Sequence, residues 1–323
     1  MANAIEAEGL VKTYGEVRAL DGFSFSVPKG VVFGLLGPNG AGKSTTVKIL
    51  TTLSSPQEGE ARVAGHDVRR QPDDVRRLIG VVAQKSGLDP EATGRENARL
   101  QGQIYGLRGR QLEERIDELL TQFGLADAGD RLVRGYSGGM QRRLDIALAL
   151  VHRPRVLFMD EPTTGLDPEV RASMWQEISR LAHEEGLTVL LTTHYMEEAD
   201  VLAARLVILD RGRMVAEGTP DQLKGELRGD AVHVELGEAH VNGRVQEALA
   251  QVPGIRETTV EGRLLHARAD DGARAVPAVL QALETNGIPV AAVTVARPSL
   301  EDVYLRHAGR SFSEAETEKE DQR

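Results

Sequence analysis

The chain has 323 residues, enough for about two domains at roughly 150 residues each; with 27% charged and 41% hydrophobic side chains it has the balance of a folded protein, not of a disordered one. Its 39 basic and 49 acidic groups leave a formal charge of −10, which supplies no general pull toward nucleic acid or anionic lipid, and the absence of cysteine removes disulfides, thiolate nucleophiles and thiolate-ligated metal centres. Apolar runs such as Ile146 to Val151 fall far short of the ~20 residues that span a bilayer, and the opening MANAIEAEGL has no basic region followed by an apolar one. The chain is expected to stay in the cytoplasm and to reach a membrane only through another polypeptide.

Along the chain, β-type runs at Phe23 to Val27 and Val31 to Leu36 lead into the glycine-rich turn GPNGAGKS and then a helix from Lys43 to Leu50. From about Arg110 the apolar positions Leu112, Ile116, Leu119, Leu120 and Phe123 fall at helical spacing and stop at Gly124, so residues 86–151 read as a mostly helical insertion. Val156 to Met159 and Thr188 to Thr193 are short apolar strands separated by a helical pattern around Trp175, Ile178 and Leu181, the arrangement of a parallel sheet with crossover helices. Glycine and charge interrupt the pattern between Lys224 and Gly229. Beyond it come β (Val232 to Leu236), α (Val241 to Val252), β (Ile255 to Val260), β (Leu264 to Ala269), α (Ala275 to Asn286) and β (Val290 to Val295), the ferredoxin-like order. Ser299 to Asp302 has capping-box spacing and opens a last helix through about His307. The division expected is 1–228, 229–309, and an acidic tail, 310–323, with too little apolar content to fold.

Three motifs carry chemistry. In Gly37-Pro38-Asn39-Gly40-Ala41-Gly42-Lys43-Ser44 glycines let backbone N–H groups curl around phosphate oxygens, Lys43 reaches the β/γ-phosphates, and the Ser44 hydroxyl faces Mg²⁺. Asp160-Glu161 ends an apolar strand; alone this is as consistent with acidic surface residues, but with the phosphate loop upstream Asp160 becomes a Mg²⁺ holder and Glu161 a base for water attacking a γ-phosphate. Ser137-Gly138-Gly139 combines a serine N-cap, two glycines and a helix N-terminus, either a plain capped turn or a second anion site.

The order of Gly37 to Ser44, Gln84, Ser137-Gly138-Gly139, Asp160-Glu161, Gly165-Leu166-Asp167-Pro168 and His194 resembles the ATP-binding cassette (ABC) ATPases over roughly residues 5–225. The resemblance implies an α/β P-loop NTPase domain of the ABC type, a mixed sheet with a helical subdomain, followed here by a small α+β ferredoxin-like domain. It implies ATP and Mg²⁺ as ligands. Gly37, Pro38, Asn39, Gly40, Ala41, Gly42, Lys43, Ser44 and Thr45 would hold the phosphates and Tyr14 would stack on adenine. Gln84 would touch Mg²⁺ and the attacking water beside Ser44 and Asp160, Glu161 would be the base, His194 would contact the γ-phosphate, and Asp167 would signal across a dimer. Two copies would face head to tail, with Lys43 of one and Ser137, Gly138 and Gly139 of the other enclosing one ATP, on the inner face of the cell membrane beside a separate permease subunit and with no nucleic-acid partner. No Asn-Lys-x-Asp stretch for guanine occurs.

The family signature usually begins with Leu and ends in Gln, whereas this chain has Tyr136 and Met140; YSGGMQRR and the Pro298 to Leu305 run resemble the drug-export branch typified by daunorubicin/doxorubicin-resistance ATPases. Members there often carry Gln where this chain has His194. The reading that follows is the ATPase subunit of an exporter of a drug or other hydrophobic compound. Two alternatives stand beside it: a soluble ABC ATPase acting on ribosomes or nucleic acid, which usually carries a second cassette or a long coiled coil, and a regulatory binding module built on the second domain.

Overall fold

Alternating and continuous apolar patterns enter different sheets. The computed structural model describes residues 3–227, 229–237, 242–250, 252–312 and 314–315. Strands β1 (Asn3–Tyr14) and β2 (Val17–Pro28) largely alternate buried and exposed positions and pair antiparallel, as strands with one solvated face do. β3 (Val32–Leu36) is buried at every position, and the chain then passes through the 37–42 loop into α1 (Lys43–Leu50). β4 (Glu58–Val63) and β5 (His66–Asp67) complete a four-stranded sheet of order β2-β1-β4-β5. After α2 (Pro72–Leu78) and β6 (Ile79–Val82) come α3 (Gly94–Ile104), α4 (Gly109–Gln122) and α5 (Gly138–Ala149), all inside the segment 86–151. A capping box between Thr93 and Glu96 starts α3, and the Ser137 side chain caps α5.

β7 (Val156–Asp160), α6 (Pro168–His183), β8 (Thr188–Thr193), α7 (Met196–Leu202), β9 (Arg205–Asp210) and β10 (Arg213–Gly218) complete a six-stranded sheet of order β10-β9-β3-β8-β7-β6, parallel except for β10. Its central strands β3, β8 and β7 are covered on both faces. Leu157, Met159, Val189 and Leu191 pack with the helical segment through Leu112, Ile116 and Leu144, while Val156, Phe158, Leu190, Phe33 and Leu35 pack toward the antiparallel sheet through Ile5, Phe23 and Phe25, successive side chains pointing to opposite faces of the pleat. The Phe25 and Phe33 rings stack 5.8 Å apart across that second core.

The second compact unit begins at Pro220, nine positions before the expected boundary. The reason is α8 (Pro220–Gly225), which packs against α11 (Leu300–Ala308), with Arg306 donating to the Glu226 carbonyl at 3.4 Å. Between them run β11 (Asp230–Leu236), α9 (Asn242–Leu249), β12 (Ile255–Glu261), β13 (Leu264–Ala269), α10 (Gly272–Thr285) and β14 (Val290–Ala296). The sheet order β12-β13-β11-β14 is antiparallel throughout, the split βαβ arrangement of ferredoxin-like domains. The expected helix start at Val241 lies outside the described residues. Asp302 caps the start of α11, its Oδ2 accepting from Ser299 N at 2.8 Å and Ser299 Oγ at 2.7 Å, while Oδ1 lies 3.8 Å from the buried Arg268 guanidinium and 4.0 Å from His233 Nε2. His233 in turn meets its cross-strand partner His266, Nδ1 to Nδ1 at 3.0 Å. Both carboxylate oxygens are thus engaged, and the cluster fastens α11 to the sheet. Past Gly309 the chain differs from the expected solvated tail: Phe312 and Ala315 are buried, Phe312 packs edge-on to Tyr304 at 5.1 Å, and Ser311 and Glu314 cap one another. Two apolar side chains suffice to seat this short turn; residues 316–323 of the expected tail lie outside the described residues.

Candidate functional site

β3, β8, β7 and β6 are consecutive parallel neighbours, so their carboxyl ends open side by side, where open α/β sheets present ligand-binding loops. The 37–42 loop follows β3, His194 follows β8, Asp160 ends β7 with Glu161 next, and Gln84 stands two residues past β6. Sheet order, not sequence proximity, therefore gathers these groups.

Gly37, Pro38, Asn39, Gly40, Ala41 and Gly42 form the loop, Lys43, Ser44 and Thr45 the first turn of α1. At Gly37 a side chain would collide with the Leu209 carbonyl oxygen, and at Gly42, with φ +115°, a Cβ would lie 2.6 Å from the Ala19 carbonyl oxygen. Only glycine lets the backbone lie this close. Ala41 accepts from Gly212 N at 2.8 Å, fixing the loop against the β9–β10 turn. Lys43 is buried; its Nζ donates to the carbonyls of Gly37 at 2.6 Å and Pro38 at 3.1 Å and lies 3.5 Å from Glu161 Oε1.

Two neighbouring carboxylates follow, of which Glu161 meets this ammonium. Asp160 Oδ1 accepts from Thr192 Oγ1 at 2.6 Å and from Ser44 Oγ at 3.3 Å. Glu161 adopts φ +48°, a left-handed conformation that costs a side-chain-bearing residue roughly 1–3 kcal/mol. Its N–H donates to both the carbonyl and the hydroxyl of Thr192, each at 3.1 Å, which holds the turn. Gln84 Nε2 donates to Glu161 Oε2 at 3.0 Å, and His194 Nδ1 stands 3.3 Å from Oε1. Burial pushes the Glu161 carboxyl up, but His194 and the Lys43 charge beside it outweigh that, and its pKa lies below the ordinary carboxylate value. A carboxylate so held is ionised at neutral pH, able to orient water and take its proton.

The bonds just described include none of Tyr14, Ser137, Gly138, Gly139 or Asp167. Tyr14 stands 46% exposed at the end of β1 with the Lys12 ammonium 5.2 Å over its ring. Ser137 Oγ accepts from Met140 N at 3.3 Å and Asp167 Oδ1 from Val170 N at 2.9 Å, capping α5 and α6. The two caps are neighbours, since a Cβ at Gly139 would come 2.7 Å from Val170 Cγ1. Tyr136, where the family has Leu, is buried and donates its hydroxyl to the Ala128 carbonyl at 2.6 Å, anchoring the signature to the preceding turn. Two side chains that brace these groups were not singled out from sequence: Thr192, one of three threonines in the strand Thr188–Thr193, and Arg142, buried with its guanidinium on the Glu161 carbonyl.

The donor set suits a nucleotide with a hard divalent cation. A buried ammonium and helix N-terminus offer positive charge to phosphates, and the adjoining Ser44 hydroxyl and Asp160 carboxylate are the oxygen ligands such cations take.

A phosphate loop, paired carboxylates on the next strand but one and a capped SGG helix on a mixed sheet with a helical insertion define an ABC-type P-loop ATPase. The chain belongs to the ABC transporter ATP-binding proteins and is an ATP-hydrolysing transporter subunit: the family described as ABC transporter matches residues 20–164, and the family described as ATP-binding protein DrrA1-3-like, C-terminal domain, matches residues 218–308. It is 47% identical to the daunorubicin resistance ATP-binding protein DrrA2 of Streptomyces coeruleorubidus over 97% of each chain. It is 41% identical to the doxorubicin resistance ATP-binding protein DrrA of Mycobacterium tuberculosis, covering 94% of this chain and 92% of that one, and 38% identical to the Nod factor export ATP-binding protein I of Ralstonia nicotianae, over 95% and 94%. Among solved structures, a dimeric ATP-binding cassette in a post-hydrolysis state bound to ADP and Pi aligns with TM-score 0.61 at 30% identity, covering 67% of this chain and 98% of that one.

Proposed function

We propose that this chain powers export of a drug-like or other hydrophobic compound, working as a head-to-tail pair on the cytoplasmic face of a membrane beside a separate permease subunit. The observation that carries the hydrolytic half is Glu161, ionised in a left-handed turn between Gln84, His194 and Lys43. Near-full-length similarity to proteins named for daunorubicin and doxorubicin resistance supports the export half. No helix among the described residues is long and apolar enough to cross a membrane, in keeping with a separate spanning subunit.

Each residue has a task in this reading. Lys43 and the backbone N–H groups of residues 37–45 bind the β/γ-phosphates, and Tyr14, exposed at its strand end, offers adenine a face. Ser44 and Asp160, with Gln84, would hold Mg²⁺, which when bound neutralises charge on the phosphate oxygens. Glu161 orients water and accepts its proton at a carboxylate oxygen, and His194 is placed to donate toward the γ-phosphate. Ser137, Gly138 and Gly139 present a capped helix N-terminus to the nucleotide of the other copy, with Asp167 beside them. Phosphoryl transfer needs positioning and charge complementarity rather than a covalent nucleophile, which agrees with a chain that has no cysteine.

Glu161→Gln keeps shape and hydrogen bonding but removes the base. ATP hydrolysis should fall by a factor on the order of 10² to 10⁴ while an ATP-dependent dimer accumulates on size exclusion. Lys43→Ala should bind ATP poorly and form no such dimer. A Glu161→Gln protein that hydrolyses ATP at the wild-type rate, or stays monomeric at saturating Mg-ATP, would show that the carboxylates are misassigned.

A further inference from the structure

One guanidinium ties together the two loops that carry the hydrolytic groups. Arg142 lies in the second turn of α5 and is 7% exposed. Its Nε donates to the Pro162 carbonyl at 2.7 Å and its Nη1 to the Ala83 carbonyl at 2.6 Å, while Nη2 reaches the carbonyls of Asp160 and Glu161, each at 3.4 Å. Ala83 precedes Gln84, and Pro162 follows Glu161. The fork thus holds the backbone on either side of the Gln84–Glu161 hydrogen bond. One helical turn further along α5, Asp145 Oδ1 accepts from Ser86 Oγ at 3.0 Å, so the loop around Gln84 is gripped from the same helix at two points. A lysine could not substitute, because only a planar fork with five donors can serve several carbonyls in different directions at once.

The Ser137 cap begins the same end of α5, about 7.5 Å before Arg142 along the helix axis at 1.5 Å per residue. We infer that Arg142 is a positioning residue: it fixes the Gln84–Glu161 geometry and makes the first two turns of α5 a rigid link between the SGG turn and the hydrolytic groups of its own chain. The inference rests on the hydrolytic reading of Glu161 and adds the means by which an event at the SGG turn is felt at that carboxylate. Glu161, strained at φ +48°, cannot keep its conformation by local preference, so its carbonyl and those flanking it need partners, and the guanidinium supplies them.

The test uses the full chain with Arg142→Lys, which keeps the charge and the stem, and Arg142→Gln, which keeps a planar donor. Both should retain affinity for a non-hydrolysable ATP analogue within about twofold, because the phosphate loop is untouched, while kcat falls on the order of 10- to 100-fold, the loss that ångström-scale misplacement of reacting groups brings. In a Gln84→Ala background either Arg142 change should cost far less than it does in the wild type, since both act on one geometry. Fully additive losses, or kcat, analogue affinity and thermal midpoint falling together in both variants, would overturn the inference and leave Arg142 a fold-holding residue. A wild-type chain without ATPase activity would instead remove the hydrolytic reading on which it rests.

Discussion

Thr192 shows how much one hydroxyl can organise. It is fully buried at the carboxyl end of β8, donates to Asp160 Oδ1 at 2.6 Å and accepts from Glu161 N at 3.1 Å, so the proposed metal-holding carboxylate and the strained backbone of the proposed base share one support. Thr192→Val keeps the branched shape and removes only that support. Leaving the Asp160 carboxylate short of a charge-assisted partner, and the Glu161 amide with the Thr192 carbonyl alone, should destabilise the first unit by about 1–3 kcal/mol. The thermal midpoint should drop by several degrees, and ATP hydrolysis should fall further than ATP affinity does, because Lys43 and the phosphate loop are not contacted. A Thr192→Val protein as stable and as active as wild type would mean that Asp160 and the Glu161 turn hold themselves. The hydroxyl sits in a run that reads simply as a buried strand, which is why its role did not emerge from sequence: hydrophobic pattern reports burial and says nothing of which carboxylate an Oγ will meet.

At the scale of elements, helix packing in the 86–151 segment depends on one missing side chain. Gly102 is buried in α3 where it crosses α4, and a Cβ there would collide with Leu112 Cδ1 and approach Val151 Cγ2 at 3.5 Å. Leu112 is itself 2% exposed and hemmed into the core that includes Ile116 and Leu119, so it has little room to turn aside. Alanine is the better helix former by about 1 kcal/mol, yet overpacking costs typically 1–3 kcal/mol. Gly102→Ala should therefore lower the urea midpoint without weakening binding of an ATP analogue; a raised midpoint would show that the leucine relaxes freely. Elements were the easiest level to read ahead of the structure. The strand, loop, helix order at 31–50, the helical spacing of Leu112, Ile116 and Leu119, and the βαββαβ order after residue 229 are all local periodicities, and the folded chain keeps each of them. What periodicity could not convey was which long polar side chains turn inward. Arg142 stands in the polar run Gln141-Arg142-Arg143 near the start of α5, and the backbones of two sequence-distant loops give its guanidinium a reason to be buried. The same limit applied to Phe312 and Ala315, whose sparse apolar content hid a seated turn.

The whole molecule is two compact units on one chain, and where they divide decides what a truncation does. The first unit closes with β10 and Thr219, and its cores draw on residues no later than Leu209; the second has its own core, built from Val232, Leu265, Val279 and their neighbours. Tyr14, Lys43, Asp160 and Glu161 all precede the division. A chain ending at Thr219 should therefore bind an ATP analogue with affinity within about twofold of the full chain, as expected when the described site groups all precede the cut. A cut after Arg228 is less favourable, because it keeps α8 while removing α11. Leu223 and Leu227, 1% and 3% exposed in the full chain, would then lose part of their cover, and that longer fragment should be the more prone to aggregate although it contains nine residues more. The Glu161 partners described above, Gln84, Lys43 and His194, all lie in the first unit, so the second unit's contribution should appear in assembly: with a permease co-expressed, the chain ending at Thr219 should be recovered less in the membrane fraction and support less export than the full chain. A folded 1–219 fragment that fails to bind the ATP analogue would contradict the division of labour at its root, and one that assembles and exports as well as the full chain would show that the ferredoxin-like unit serves some other end.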